Sequence, residues 1–348
     1  MSASELLPVT VVIPAYNAAK TIKRALASVF AQLASPAEII VVDDGSLDDT
    51  AELARAAGAR VICQPNAGTG AARNTGIRAA TGTWIALLDA DDEWMPDKLA
   101  VQWEAAKLRP GVGLIASDYV YVHRDGFADG PSLPSLRGYQ LSRRIPVAHD
   151  TAFIGRTDAA VATVTGFFLL PSTLLIAAEV FAAGSFFRGR GELQSTPLCE
   201  EAEDFEWLMR ALRASDVLVV ERVLVTYHTQ AGSLSSNPGR MRYGDVKLGE
   251  RILSDPSKYA PGISEEIVRI RPSRLRSAVR EFLRVGDIRS ARTILADAMT
   301  ERRSLADIFV YSALMLGDNW FGRFALESLR LLWKSALKPL VVRRSPDV

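Results

Sequence analysis

The chain has 348 residues, 48% of them hydrophobic and 23% charged, and a net charge of +1, enough for one large domain with a sizeable core and a smaller one beside it. Two cysteines, Cys63 and Cys199, in no metal-binding spacing exclude a disulfide framework and fit a reducing compartment. No apolar run reaches the roughly 20 residues a spanning helix needs, and "MSASELLPVT" lacks the basic and apolar regions of a signal peptide.

The near-zero total hides an asymmetry. Residues 1–235 hold 20 basic and 27 acidic side chains, and residues 236–348 hold 21 and 13. An acidic front domain, 1–235, is therefore expected to join a basic C-terminal region, 236–348, through the linker-like "GSLSSNPGR" at 232–240.

The front part alternates strand and helix. "VTVVIPAY" is a β-branched run stopped by Pro14, after which Ile22, Ala25, Leu26, Val29, Phe30 and Leu33 recur at helical spacing. "EIIVVDDGS" is a second strand, followed by a helix that Ser46 can cap and that Asp48 and Asp49 suit at its positive end. "ARVICQ" is a third strand, and "AGTGAARNTGIRAA" a glycine-containing loop entering a helix. "TWIALLDADD" is a fourth. Strands this uniformly apolar are expected in a parallel sheet covered by helices on both faces, a doubly wound α/β fold.

Tyr16, Asp43, Asp44, Asp89, Asp91 and Asp92 all fall just past the carboxyl ends of these strands, where ligands bind in open parallel sheets. Three acids in four positions repel one another. A divalent cation explains them economically, since hard oxygen ligands suit Mg²⁺ or Mn²⁺ bridged to substrate phosphates. The competing reading is solvated loop acids and helix caps. "DDGS" taken alone fits that reading better, and three acids closing an apolar strand fit it worse.

"GLIASDYVYVHRDG" (113–126) reads as a strand and turn, and 129–160, rich in Pro, Ser and Arg, as a mobile loop. An arginine-bearing piece of it, "LSRRIP", could cover a diphosphate or simply be solvated. "GFFLLPSTLLIAAEVFAAGSF" reads as a strand and a helix ended by Gly184. In "CEEAEDFEWLMRALRAS", Phe205, Leu208, Met209 and Leu212 form a helical stripe that starts just after Asp204. As a bare cap Asp204 would satisfy the helix, with Glu200, Glu201 and Glu203 favouring its dipole.

Taken together, "PAYNAAKTIKRALASVFAQ", "IIVVDDGSLDDT", "NAGTGAARNTGIRAATGTWIALLDADDEWMPDKL" and "EDFEWLMR" resemble an inverting family 2 glycosyltransferase of the GT-A fold over about residues 8–235. The nucleotide-sugar half would be about 8–110 and the acceptor half 111–235. The resemblance implies that Pro14, Ala15, Tyr16, Asp44, Arg73 and Asp89 bind the nucleotide sugar. Tyr16 would stack on the base and Asp44 would accept from the uracil ring nitrogen, favouring UDP. As neutral alternatives, Tyr16 packs at the strand end and Arg73 pairs with Asp43 or Asp44. Asp91 is the expected main metal ligand, with Asp92 and His228 as further ligands for Mn²⁺ or Mg²⁺. The cation would neutralise the departing diphosphate. Asp204 would be the general base that deprotonates the acceptor hydroxyl, and Glu203 would bind the acceptor. Helix N–H donors lower a carboxylate's pKa, so burial and nearby acids must offset them at Asp204.

The basic tail reads as helical, with a break at Gly286. In a third helix over 319–338, Arg323, Arg330, Lys334 and Lys338 share one narrow face. Trp320, Phe321, Phe324, Leu329, Leu332, Trp333 and Leu337 cover the rest. Core packing explains the apolar residues. The basic edge with two tryptophans also suits an anionic membrane surface, which would hold a cytoplasmic enzyme at the inner face of the membrane, near a lipid-linked acceptor. No nucleic-acid-binding module is recognisable. The expected function is sugar transfer from a nucleotide donor to a glycan or lipid-linked acceptor in cell-surface polysaccharide or glycoconjugate synthesis. The alternative is a non-catalytic nucleotide-sugar-binding or scaffold protein on the same fold. A nucleotidyltransferase is disfavoured, because no Gly-rich phosphate loop with a lysine follows the first strand.

Overall fold

The structure, a computed structural model, describes residues 6–123, 125–166, 169–182, 186–189, 192, 203–229 and 238–299. The chain divides into two compact units. The first is Met1–Ser236 with Lys247–Ile270, and the second is Asn237–Val246 with Arg271–Val348.

The first unit opens with β1 (Leu6–Ala15), α1 (Ile22–Phe30), β2 (Ser35–Asp43), α2 (Thr50–Ala56), β3 (Arg60–Cys63), α3 (Thr69–Ala79) and β4 (Trp84–Leu87). β2 and β4 flank β1 and β3 lies outside β2, all parallel. The chain winds outward from β1 to β3, then crosses back to β4, so the winding reverses between β1 and β4. That is where an open α/β sheet leaves a crevice at the carboxyl ends of its strands. Both faces of β1 are covered, as its apolar run requires. Val9, Val11 and Ile13 join Ile22, Leu26 and Val29 of α1 in one core cluster, while Val12 joins Ile77 and Leu208 in the other.

Beyond β4 the sheet becomes mixed. It continues through β5 (Glu93–Trp94), α4 (Lys98–Leu108), β6 (Leu114–Val122), α5 (Arg137–Leu141), β7 (Arg144–Ala148), β8 (Thr151–Ile154), α6 (Arg156–Thr165), β9 (Leu175–Ala177), α7 (Ala178–Ala182), α8 (Glu203–Ala214) and β10 (Val217–His228). β9 lies antiparallel between β4 and β6, β10 runs parallel to β6, and β8 and β7 extend the sheet antiparallel. The expected stripe on α8 is present, with Phe205, Leu208, Met209 and Leu212 all buried.

Two sequence expectations are corrected here. Residues 129–160 are not a mobile loop, because Arg144–Ile154 forms a hairpin on the sheet and Arg156–Thr165 a helix. "LSRRIP" enters edge strand β7. Ser46 does not cap α2. Its Oγ accepts from the Asn17 N–H at 2.9 Å, and Asp49 occupies the cap position.

Helices α9 (Pro238–Ser254) and α10 (Ile263–Val285) run through both units, and α11 (Ile288–Met299) lies in the second. Gly286, at φ +84°, breaks α10 from α11 in the left-handed conformation that glycine adopts without a steric penalty. In the second unit Leu275, Val279, Phe282, Ile294 and Leu295 are buried, and Arg274 Nη1 donates to Asp245 Oδ2 at 2.9 Å. Gly184, Cys199 and the 319–338 helix lie outside the described residues, as does most of the 232–240 junction. No described helix is long and apolar enough to cross a membrane.

Candidate active site

The carboxyl ends of β1 and β2 are tied together by their turns. Pro14 and Ala15 lie in register with Val42 and Asp43. Asn17 stands at φ +49°, a conformation Asn tolerates better than most residues, and its Oδ1 accepts from the Leu47 N–H at 2.8 Å. Tyr16, at 51% exposure, leaves its ring open at this edge rather than packed at the strand end. Asp44 is buried. Its Oδ1 accepts from Gln64 Nε2 at 2.8 Å and Ala67 N at 2.9 Å, and its Oδ2 from Gly68 N at 2.8 Å. Asp44 therefore fixes the loop that starts α3.

α3 carries Arg73, which is 3% exposed. It pairs with neither Asp43 nor Asp44. Nη2 donates to Asp89 Oδ1 at 2.7 Å and Nη1 to Glu203 Oε1 at 3.3 Å. One guanidinium thus joins the acid after β4 to the acid opening α8. Arg73 Nε is buried without a hydrogen-bond partner, and the Phe187 ring lies 5.2 Å from the guanidinium. Burial works against the charge, but Asp89 and Glu203 outweigh it and raise the Arg73 pKa.

The remaining acids of "DADD" are held from other directions. Ser172 Oγ donates to Asp92 Oδ2 at 2.6 Å and accepts from Asp89 N at 3.0 Å. The Asp92 Oδ1 accepts from the backbone N–H of His228, where β10 ends, at 3.3 Å. Arg24 of α1 donates to the Asp91 carbonyl at 2.6 Å. Burial and the neighbouring Asp89 push the Asp91 carboxyl up to about 6, and the same causes push Asp92 well above its ordinary value. The His228 Nε2 lies 3.5 Å from Glu93 Oε2, is buried, and makes no hydrogen bond. Burial and Arg24 lower the His228 pKa, favouring the neutral ring that ligates metals.

At the start of α8, burial and then Asp204 push Glu203 up to about 7. Asp204 Oδ1 accepts from the Phe205 N–H at 2.8 Å, yet burial outweighs that bond and raises the Asp204 pKa. The tension between capping and basicity resolves towards basicity. Two acids with raised pKa values, opposite a buried arginine, are a disposition suited to proton abstraction.

A divalent cation fits the chemistry of this edge in part. Crowded carboxylates held above their ordinary pKa and an unpartnered imidazole nitrogen are what a hard cation would relieve. Among the described residues, no three His, Cys, Asp or Glu side chains converge as a ready-made cage. Phosphate oxygens and water would have to complete the coordination, as is usual for Mg²⁺.

Arg73, Asp89 and Glu203 therefore meet directly, as do Asp92 and His228, while Pro14, Ala15, Tyr16 and Asp44 line the neighbouring strand ends. Sequence reasoning missed Ser172 and Arg24. Ser172 had a faint signal, a Pro-Ser-Thr turn inside an apolar run, whereas Arg24 had none.

Residues 10–160 match the family described as Glycosyl transferase family 2. The succinoglycan biosynthesis protein ExoO of Rhizobium meliloti is 48% identical over 102 residues, which are 28% of this chain and 29% of ExoO. The S. aureus TarS structure in complex with UDP-GlcNAc superposes with a TM-score of 0.53 at 18% identity, covering 93% of this chain and 91% of that one. The mannosyltransferase PcManGT of Pyrobaculum calidifontis, in complex with GDP-Man and Mn²⁺, superposes at 0.54 and 17% identity, covering 99% and 89%. At these identities the structures establish likeness of fold, and that fold is GT-A.

Proposed function

We propose that this chain, whose residues 10–160 are a Glycosyl transferase family 2 domain, is an inverting, metal-dependent glycosyltransferase. It moves a sugar from a nucleotide donor, UDP-linked by our reading, to a hydroxyl of a glycan or lipid-linked acceptor in polysaccharide or glycoconjugate synthesis. ExoO's role in succinoglycan biosynthesis supports the pathway class. UDP-GlcNAc on TarS and GDP-Man with Mn²⁺ on PcManGT support the donor class and the cation.

The observation that carries the proposal is Arg73. Its fork joins Asp89, 16 positions on and assigned here to the donor side, to Glu203, 130 positions on and assigned to the acceptor side. In this reading Tyr16 stacks on the nucleobase and Asp44, with Pro14 and Ala15, frames it. Asp89 and Arg73 orient the ribose and phosphates. Asp91 would hold Mn²⁺ or Mg²⁺ together with the diphosphate, and Asp92 and His228 flank it. When bound, the cation supplies Lewis-acid stabilisation of the leaving diphosphate. Asp204 takes the proton of the attacking hydroxyl, and Glu203, anchored by Arg73, orients the acceptor. A raised pKa makes Asp204 a stronger base than a solvated carboxylate.

Titrating the protein with UDP in the presence of Mn²⁺ tests the reading. Micromolar binding that weakens in Asp91→Asn supports it. Failure of every nucleoside diphosphate to bind would favour the scaffold alternative.

A further inference from the structure

Near α8 lies a cavity of about 600 Å³ whose walls include Arg188, Lys247, Arg251, Asp255, Lys258 and Tyr259. That volume lies in the range of small-molecule sites. Four basic side chains and two acidic ones, Asp255 and Glu250, line it. Lys247 pairs with Glu250 at 2.9 Å, and Lys258 with Asp255 at 2.6 Å. Arg188 pairs with Glu206 at 2.9 Å and Glu192 at 3.5 Å, and Arg251 makes no ion pair among the described residues, so Arg251 is the cation of this wall without a counter-ion.

A buried acid pins this wall to the candidate catalytic helix. Glu206, fully buried, accepts from Arg188 Nε at 2.9 Å, from Arg210 Nη2 at 2.7 Å and from the Tyr259 hydroxyl at 3.1 Å. Glu206 follows Glu203 by three residues, so the two share a face of α8 and stand about 4.5 Å apart along its axis. The backbone makes the same junction. A Cβ on Gly70 would lie 2.5 Å from the Arg188 carbonyl and 3.3 Å from the Glu203 Cγ, so both pack on the start of α3. Two residues of the cavity wall, Arg188 and Tyr259, are thus bonded to the α8 turn that follows Glu203.

We propose that this cavity is an acceptor subsite that takes an oxyanion group, a phosphate or a carboxylate, carried by the acceptor, with Arg251 as its principal unpaired cation and Lys258 at its rim. The assignment rests on the glycosyltransferase reading for the word acceptor, but the anion site itself does not. A neutral sugar would leave Arg251 without a counter-charge. An oxyanion would gain charge-assisted hydrogen bonds there, for which the arginine fork is well shaped.

The test is calorimetric titration of the full chain with inorganic pyrophosphate, with sodium glucuronate in a second arm and glucose as the neutral control. Arg251→Gln and Lys258→Gln are titrated alongside. One of the two anions is expected to bind and glucose not. Arg251→Gln should weaken that anion at least about tenfold, in keeping with the loss of a charge-assisted hydrogen bond, and Lys258→Gln should weaken it less. The arm that responds identifies the source as a phosphorylated or an acidic-sugar acceptor. Anion affinity equal in all three proteins, or no anion bound, overturns the proposal. UDP affinity measured on the same samples separates the two claims. Loss of anion binding in Arg251→Gln without any UDP binding keeps the cavity and removes the transferase reading.

Discussion

Arg73→Met is the most informative perturbation of this fold. The wild-type arginine is 3% exposed, and its partners Asp89 and Glu203 are 27% and 12% exposed at their side chains. Removing one member of a buried ion pair costs about 3–5 kcal/mol, because the remaining charge is left without compensation. Asp89 retains over a quarter of its exposure and can draw on solvent, which puts the cost at about 3 kcal/mol at pH 8. For a unit of this size that is a loss of about 6–12 °C in melting temperature. The pH dependence identifies the cause. Glu203 stands at about 7 in the folded protein, against an ordinary 4.5. The native state therefore holds this proton longer than the unfolded chain, and stability falls as pH rises from about 4.5 to about 7. Arg73 opposes that rise, so its removal carries the window further up. Below about pH 5 the Glu203 carboxyl is neutral with or without the arginine, and only the Asp89 share of the cost remains. Thermal denaturation at pH 5 and pH 8 should thus give a smaller loss at pH 5. Arg73→Lys should recover part of the loss, since one ammonium cannot fork to two carboxylates. An equal loss at both pH values, or none at either, would refute the bridging role.

Asp204→Asn keeps the shape and should lower transfer by about 10²–10⁴ while leaving UDP affinity near its original value; near-normal turnover would move the base to Glu203. Gly76→Ala puts a methyl 2.4 Å from Val12 Cγ1 and 3.2 Å from Val42 Cγ2, where α3 crosses the sheet. Overpacking of this kind costs about 1–3 kcal/mol, seen as a lower urea midpoint, and an unshifted midpoint would show that α3 yields freely. If Asp44 reads uracil, UDP should bind more tightly than GDP in calorimetry and Asp44→Ala should abolish the difference. Equal affinities in the unmutated protein would remove the uridine assignment.

Much of the parallel half was legible in the sequence because its signals are local. The apolar runs of β1, β2 and β4 and the 3.6-residue stripes of α1 and α8 need no knowledge of their neighbours. The mixed half was legible only in part: the strand read in 113–126 is β6, but the short strands were missed. β9 has three residues, and the strands of the 144–154 hairpin have five and four. Segments so short carry no clear period, and their place in the sheet is fixed by pairing with β4, β6 and β10. At the site, the acids of "DADD" and "ED" could be singled out by type and position. Their connections could not, because Arg73 reaches Glu203 across 130 residues. Composition gave equal licence to a pair with Asp43 or Asp44. Ser172 and Glu206 escaped notice for the same reason. Each looks like an ordinary loop or helix-face residue until distant elements bury it.

The central claim is that this strand edge performs metal-dependent transfer from a nucleotide sugar. Its most direct test is UDP release from a panel of UDP-sugars, with GDP-sugars in parallel, in Mn²⁺ or Mg²⁺. The expected result is turnover of at least one donor, lost in excess EDTA and in Asp91→Asn, with the mutant still folded. Full release in excess EDTA, or no turnover of any nucleotide sugar by the folded protein, would contradict it.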